Sequence, residues 1–359
     1  MKTSLFDYHL PSNSIATHPL KDRSNSKLMV INRKSQAVTH HHFYDLPYIV
    51  GKDWAFIRNN ARVFKARLYG KTDSGGSVEC LLLNPQDFNN PNTWWCLLKP
   101  GRKFKNKGKL KIAENFFGEV VDKNQEGQFL IQWKTPYGKS VQDMADQFGE
   151  MPLPPYIKAK REKNSTYNDT QSYQTVFSDQ NKKVAAAAPT AGLHFTPELI
   201  HSLESKGGIF YDLTLNIGLG TFKPIQTEEI ENHPIHKEFY TISNDLVNEI
   251  QNPKKKHLAI GTTSVRALEH AYKTKDLWRF DGLEYQNEAD IYIYPPANFH
   301  TIDALITNFH LPQSTLLCMI SSFLTPGKSS GIQWVQQLYR EAIDKGYRFY
   351  SYGDAMLIL

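Results

Sequence analysis

The chain has 359 residues, 40% of them hydrophobic and 22% charged, with a formal net charge of +6. That length suits two domains of roughly 150 residues each, and the absence of long polar or low-complexity tracts excludes a disordered or fibrous protein. The opening Met1-Lys-Thr-Ser-Leu-Phe-Asp-Tyr-His is not expected to be a signal peptide, the apolar run 315–324 is too short to span a bilayer, and three scattered cysteines (Cys80, Cys96, Cys318) exclude a disulfide framework or zinc knuckle. A cytoplasmic protein with a mild preference for polyanions is the expectation.

Residues 1–65 begin as a proline-punctuated arm (Leu10-Pro11, His18-Pro19) and continue into strand-like runs at 27–32, 37–43 and 54–57. The triple His40-His41-His42 resembles a metal tract, but alternate residues of a strand point to opposite faces, so the three cannot converge on one ion. Arg58 and Arg62 follow the third strand and are expected to face either RNA or simply solvent.

From 66 to 151 the texture changes. Short apolar runs at 78–83, 94–98, 116–121 and 129–133 alternate with turn signals at Gly75-Gly76, Pro100-Gly101, Gly108 and Glu126-Gly127, the pattern of a small antiparallel β-barrel. Between two of these strands, the hairpin-sized segment 99–111 carries seven basic residues and no acid, including Lys99, Arg102, Lys103, Lys105 and Lys107. Such charges repel one another unless solvated or facing phosphates. Met151-Pro-Leu-Pro-Pro-Tyr156 is a rigid exit from this insertion, leaving 1–65 and 152–359 as one discontinuous α/β domain.

The second part is organised around Ala185-Ala-Ala-Ala-Pro-Thr-Ala-Gly-Leu-His-Phe195. Its small residues, with Thr190 and Gly192 among them, let backbone or ligand approach closely. His194 stands just before Thr196-Pro197-Glu198, which has an N-cap hydroxyl, a proline in the first turn and an early acid. A strand at 209–215 delivers a turn with Gly218, Gly220 and Thr221, and His233, His236 and Glu238 follow within six residues of one another. A buried-type strand at 258–261 ends in Thr262-Thr263-Ser264 with Arg266 one turn into the next helix, and a strand at 302–307 ends in Asn308-Phe309-His310 before a helix at 315–323. Repeated strand–polar turn–helix units argue for an α/β domain with ligand groups at the carboxyl ends of its strands.

No P-loop is present, and Gly218/Gly220 lacks the third glycine of a dinucleotide-binding turn. The histidines supply groups that titrate near neutral pH. His233, His236 and Glu238 at i, i+3 and i+5 across Pro234 match no recognised ligand spacing, so acid–base use is preferred over a metal-dependent hydrolase, and no metal is expected.

Tyr173-Gln-Thr-Val, Ala187-Ala-Pro-Thr-Ala-Gly-Leu-His-Phe195, Gly218-Leu-Gly-Thr-Phe222, His233-x-x-His-x-Glu238, Gly261-Thr-Thr-Ser-Val-Arg266, Thr307-Asn-Phe-His-Leu-Pro312 and Tyr350-Ser-Tyr-Gly-Asp-Ala355 together resemble the S-adenosylmethionine:tRNA ribosyltransferase-isomerase family of queuosine biosynthesis. Leu10-Pro11, Ile15-Ala16, Pro19, Arg23 and 151–157 match its N-terminal and hinge patterns, so the likeness covers nearly the whole chain. It implies a large mixed α/β domain interrupted by a β-barrel. It also implies transfer of the ribosyl part of S-adenosylmethionine to 7-aminomethyl-7-deazaguanine at the tRNA wobble position, giving epoxyqueuosine and releasing adenine and methionine.

On that likeness His194, His233, His236 and Glu238 are the candidates for proton transfer. Thr190, Gly192, Gly218, Gly220, Thr221, Thr262, Thr263, Ser264, Asn308 and His310 are expected to hold the co-substrate, with Arg266 toward the methionine carboxylate. Arg23, Arg58, Arg62, Lys99, Arg102, Lys103 and Lys105 are expected to face tRNA, and the enzyme is expected to act as a monomer. The chain departs from the family pattern at Asn216, where a histidine is usual, at Ala61 for threonine, at Lys27 for arginine and at Pro296 for glycine. Asparagine keeps hydrogen bonding but cannot titrate, so a diverged paralogue that binds tRNA or a nucleoside without this chemistry is the alternative.

Overall fold

The structure is a computed structural model that describes residues 1–87, 90–104, 108–160, 168–185, 187–218, 224–251, 253–275, 279–280 and 282–359. Among the described residues, ten strands form one mixed sheet, and six more, from Arg67–Thr72 to Phe129–Lys134, close into an antiparallel barrel. The expected architecture of an α/β sheet accompanied by a small barrel is therefore observed.

The middle of the large sheet explains why its motifs gather. Ile209–Leu215, Trp54–Asn59, Lys256–Ile260 and Ala304–Asn308 lie side by side and parallel, so all four end at the same edge. Their near-continuous apolar composition is what a parallel strand covered on both faces requires. Ala355–Ile358 runs antiparallel to Ala304–Asn308 with Ala355 opposite Asn308, which brings the preceding loop 350–354 to that edge too. Glu238–Ser243 is antiparallel to Ile209–Leu215 with Tyr240 opposite Leu215, so Glu238 starts its strand at the same edge.

Helices cover the sheet. Pro197–Ser205 begins as expected, with Thr196 Oγ1 accepting from the Leu199 N–H at 3.3 Å and Pro197 at the first helical position. Thr262–Lys273 follows Gly261, whose φ of 91° is open to glycine at little cost and turns the chain straight from strand into helix. Thr315–Leu324 is buried along almost its whole length, and Gly331–Asp344 packs beside it.

In the barrel the inward positions, among them Trp94, Phe116, Ile131 and Trp133, form a core separate from that of the sheet. One expectation needs correcting here. The segment 99–111 is not a single hairpin turn, because its end belongs to a strand, Lys109–Ala113, that pairs on both sides. A helix, Val141–Phe148, also follows the last barrel strand, capped by a reciprocal Ser140–Asp143 box.

The three adjacent histidines do diverge. His40 bonds Tyr347 Oη (2.8 Å) and Glu341 (2.9 Å), His41 bonds Thr39, and His42 stacks on Tyr44. Among the described residues no helix is long and apolar enough to cross a membrane.

Candidate active site

Within the 187–195 segment, Thr190–His194 forms a short 3-10 turn lying against the carboxyl end of Ala304–Asn308. Gly192 is needed there for a packing reason: a Cβ would stand 2.4 Å from the Phe177 ring and 2.9 Å from Thr175 Cγ2. The turn is tied to the sheet through Asn308, whose Oδ1 accepts from Thr190 Oγ1 (2.9 Å) and whose Nδ2 donates to His194 Nε2 (3.1 Å) and to the Tyr350 carbonyl (3.3 Å).

His194 Nδ1 lies 2.8 Å from Ser26 Oγ, whose single proton is already donated to the Arg23 carbonyl at 2.8 Å. Ser26 must therefore accept, which fixes His194 as the neutral tautomer with its proton on Nδ1. Burial, reinforced by the positive charges of Arg348 and Arg23, pushes this imidazole down to about 3. Both nitrogens are engaged and the ring is 3% exposed, so His194 fastens three segments together.

Two cavities open at this edge. The larger, about 620 Å³, lies between the sheet and the barrel. Asn216, Gly218, His233, Glu238, Thr263 and Arg266 border it on the sheet side, and Trp95, Leu97, Asn124 and Gln128 on the barrel side. The smaller, about 60 Å³, is enclosed by Thr190, Asn308, His310, Tyr156, Tyr350 and Gly261. Ile217, Thr262, Thr263 and Leu316 border both, so the two share a wall.

Glu238 is buried at the floor of the larger cavity, where Arg266 Nη1 donates to one carboxylate oxygen and the Gly218 N–H to the other at 3.1 Å. Arg266 also donates to the carbonyls of His236, Ala289 (3.1 Å) and Ile291 (3.2 Å). Its guanidinium is thus bound to the protein in several directions. His236 turns toward the barrel, with Nδ1 3.2 Å from Glu126. His233 packs edge-on to Tyr292, and its Nδ1 is buried with no hydrogen-bond partner among the described residues. Burial and the neighbouring His236 lower the pKa of His233, which keeps it neutral at physiological pH. Thr263 Oγ1, at the wall shared by both cavities, is likewise buried and without a partner among the described residues.

The edge thus brings together His233, Glu238, Gly218, Thr262, Thr263 and Arg266 around one cavity and Thr190, Asn308 and His310 around the other. Burial lowers His310 to about 3. Gly192 and Ser264 border neither cavity, the Ser264 hydroxyl being donated to the Ile260 carbonyl at 2.8 Å. Gly220 and Thr221 lie outside the described residues. Among the described residues no three His, Cys, Asp or Glu side chains are grouped as a metal site.

Three of the four arginines expected to face RNA, Arg23, Arg58 and Arg62, are bonded to partners within the chain. Arg23 donates to the carbonyls of Gln174, Gln171 and Ser172. Arg58 pairs with Asp212 at 2.7 Å between the rings of Phe177 and Phe210, and Arg62 bonds Ser178 at 3.3 Å. Lys99 and Arg102 are exposed on the barrel, only the backbone of Lys103 is described, and Lys105 lies outside the described residues.

Sequence reasoning overlooked the barrel wall of the cavity. A signal existed: Trp94-Trp95-Cys96-Leu97-Leu98 is apolar on both faces, whereas an antiparallel barrel strand facing water should alternate. Its outer residues, Trp95 and Leu97, line the cavity. Tyr156 and Tyr350 were also missed as lining residues; nothing in their spacing distinguishes them from core tyrosines.

The queuosine biosynthesis protein family matches residues 3–358. Proteins of Natranaerobius thermophilus and Aquifex aeolicus named S-adenosylmethionine:tRNA ribosyltransferase-isomerase are 41% and 40% identical to this chain, with all of it aligned and 99% and 100% of theirs. A crystal structure of S-adenosylmethionine tRNA ribosyltransferase from Thermotoga maritima is similar at 31% identity and a TM-score of 0.52, over 99% of this chain and 100% of that one.

Proposed function

The chain belongs to the queuosine biosynthesis protein family, and from that premise we propose that it is an S-adenosylmethionine:tRNA ribosyltransferase-isomerase, like the relatives that match it from end to end. In the finer reading it moves the ribosyl part of S-adenosylmethionine onto 7-aminomethyl-7-deazaguanine at the wobble position, giving epoxyqueuosine and releasing adenine and methionine. The division of labour we propose is that 1–65 and 152–359 carry the chemistry while 66–151 closes the site.

The observation that carries this reading is the cavity of about 620 Å³ whose two walls come from the sheet edge and the barrel. Its size falls in the range that encloses a drug-sized ligand. A buried hydroxyl (Thr263) and a buried imidazole nitrogen (His233) at its wall have no partner among the described residues, which leaves them open to a ligand.

The reaction asks for a base near the carbon beside the sulfonium, which that positive charge acidifies, and for a proton donor near the departing adenine. His233, neutral and with no partner at Nδ1 among the described residues, suits the first task. Glu238, balanced by Arg266 and bonded by the Gly218 N–H, fixes the position of both at the cavity wall. His194 acts as a positioning residue, since its two nitrogens already hold Ser26 and Asn308. Asn216 borders the cavity where a histidine is usual, so the family's imidazole there is not required in this reading.

The test is mass spectrometry of nucleosides from tRNA carrying the 7-aminomethyl base, incubated with the protein and S-adenosylmethionine. Epoxyqueuosine formed in step with adenine is the expected result. Retained tRNA binding with no product would instead favour the diverged paralogue.

A further inference from the structure

The strand register of the barrel sets four outward side chains in one row. Lys71 stands directly opposite Lys111, Lys111 opposite Phe117, and Phe117 opposite Lys134, on four successive strands. The three lysines are exposed and Phe117 is half-buried, while their sequence neighbours Leu110, Phe116 and Trp133 point into the barrel core. With strands about 4.8 Å apart, the row is about 14 Å long. Lys134 Nζ lies 5.7 Å from the centre of the Phe117 ring. Two residues from Lys71 on the same face, Tyr69 is exposed and bonded at its hydroxyl by Lys158 Nζ (2.7 Å).

Like charges directly opposite on neighbouring strands are destabilising, and the acids of the barrel do little to relieve this pair. Glu79 is taken by Arg67, Asp73 accepts from the Lys109 N–H, Asp122 accepts from the Lys123 N–H, Glu126 pairs with His236, and Asp143 and Asp146 pair with Lys183, while Glu119, two residues from Phe117 on the same face, stands opposite a further lysine, Lys109. Glu114, in the turn beyond Ala113, is exposed and close in sequence but not in the row. Cations spaced across a sheet with aromatic faces between them are the arrangement that follows a phosphate backbone and stacks on unpaired bases.

We propose that this outer face of the barrel, Lys71–Lys111–Phe117–Lys134 with Tyr69 and Lys158 beside it, carries the RNA backbone of the substrate while the modified base occupies the cavity. This rests on the reading that tRNA is the substrate. The hairpin Asn124–Gln128 that borders the cavity lies at the far end of the strand that begins at Phe116, so the row is about 20 Å from that wall of the cavity. Its residues are then binding determinants and leave the co-substrate site untouched.

The experiment compares the wild-type chain with Lys71→Ala/Lys111→Ala/Lys134→Ala, with Phe117→Leu, and with a control, Lys34→Ala/Lys52→Ala, that removes exposed lysines away from the barrel. Affinity for tRNA bearing the 7-aminomethyl base is measured from 50 to 200 mM salt, alongside binding of S-adenosylmethionine alone and thermal unfolding. Three phosphate contacts contribute about 2 to 3 to the slope of log affinity against log salt. The wild type should therefore lose about 20- to 40-fold more affinity across that range than the triple variant. Phe117→Leu should weaken binding with the slope unchanged, and the control and S-adenosylmethionine binding should not move. A triple variant that stays folded, binds S-adenosylmethionine and keeps the wild-type salt slope overturns the inference. A wild-type chain that binds no tRNA overturns the functional reading beneath it.

Discussion

The hydrogen bonds around His194 make a quantitative prediction about acid stability. Its pKa is lowered from 6.5 to about 3 in the folded chain, so between those values the unfolded chain binds a proton that the folded chain refuses. Stability must then rise with pH across this window: the contribution is fully present above about 6.5 and is lost as pH falls toward 3. At pH 5 the loss from this one residue is about 2 kcal/mol, at ~1.4 kcal/mol per pH unit. The perturbation is His194→Gln. At pH 7 it removes the bonds to Ser26 and Asn308 and should cost about 1–3 kcal/mol. That cost does not titrate, whereas the wild-type penalty does. The gap between the two proteins in urea unfolding should therefore shrink by about 2 kcal/mol between pH 7 and pH 5, with equal m-values. A gap unchanged over that range would mean that the folded imidazole titrates normally, and the assignment of a buried, neutral Nδ1–H tautomer would fall. Because the ring is a fastener, the pH profile of turnover in a folded His194→Gln protein should keep its shape while its height drops.

Three further outcomes follow from the same geometry. Arg266→Met leaves the buried Glu238 carboxylate and three backbone carbonyls without their donor, and should cost about 3–5 kcal/mol in denaturant unfolding; a cost under 1 kcal/mol would show that the pair is well solvated. Thr263→Val removes a buried hydroxyl with no partner among the described residues at nearly constant volume, so stability should hold or rise by up to about 1 kcal/mol while KM for S-adenosylmethionine rises several-fold; a lower KM would exclude the hydroxyl from ligand binding. Glu126→Gln breaks a pair with His236 in which both side chains are more than a third exposed, so unfolding should shift by less than about 1 kcal/mol; a larger loss would make this contact a true junction between barrel and sheet.

Much of the sheet could be read from the chain because its signals are local. The strand–turn–helix passages at Ile260–Thr262 and Asn308–Thr315, and the capped start at Thr196-Pro197, are each specified within a dozen residues. What could not be read is which side of each turn faces a ligand. Gly192 and Ser264 sit inside motifs yet serve packing and helix geometry, and neither sequence position nor residue type separates them from Thr190 and Thr263. Likewise, three arginines with the right chemistry for phosphate are turned inward by partners more than a hundred residues away in sequence (Arg23 to Gln174, Arg58 to Asp212, Arg62 to Ser178). Lysines at 71 and 134 stood outside the basic run, and only strand register brings them beside Lys111.

The place where the barrel joins the sheet accounts for the position of the large cavity. The strand Trp54–Asn59 ends at the carboxyl edge, and the chain passes through Arg62–Val63, paired with Lys183–Ala185, before entering the first barrel strand at Arg67. The return comes back to the same point, since Glu150 bridges to Arg67. An insertion tethered at both ends to the carboxyl edge of a parallel sheet has to stand over the turns that gather there, because those turns surround its own attachment. In an open α/β sheet that crevice is where ligands bind. A barrel attached at the opposite edge would leave His233, Glu238 and Thr263 facing water. Attached here, it supplies the second wall and makes a shallow strand-end crevice deep enough to enclose a ligand while its outer face stays open to a larger partner.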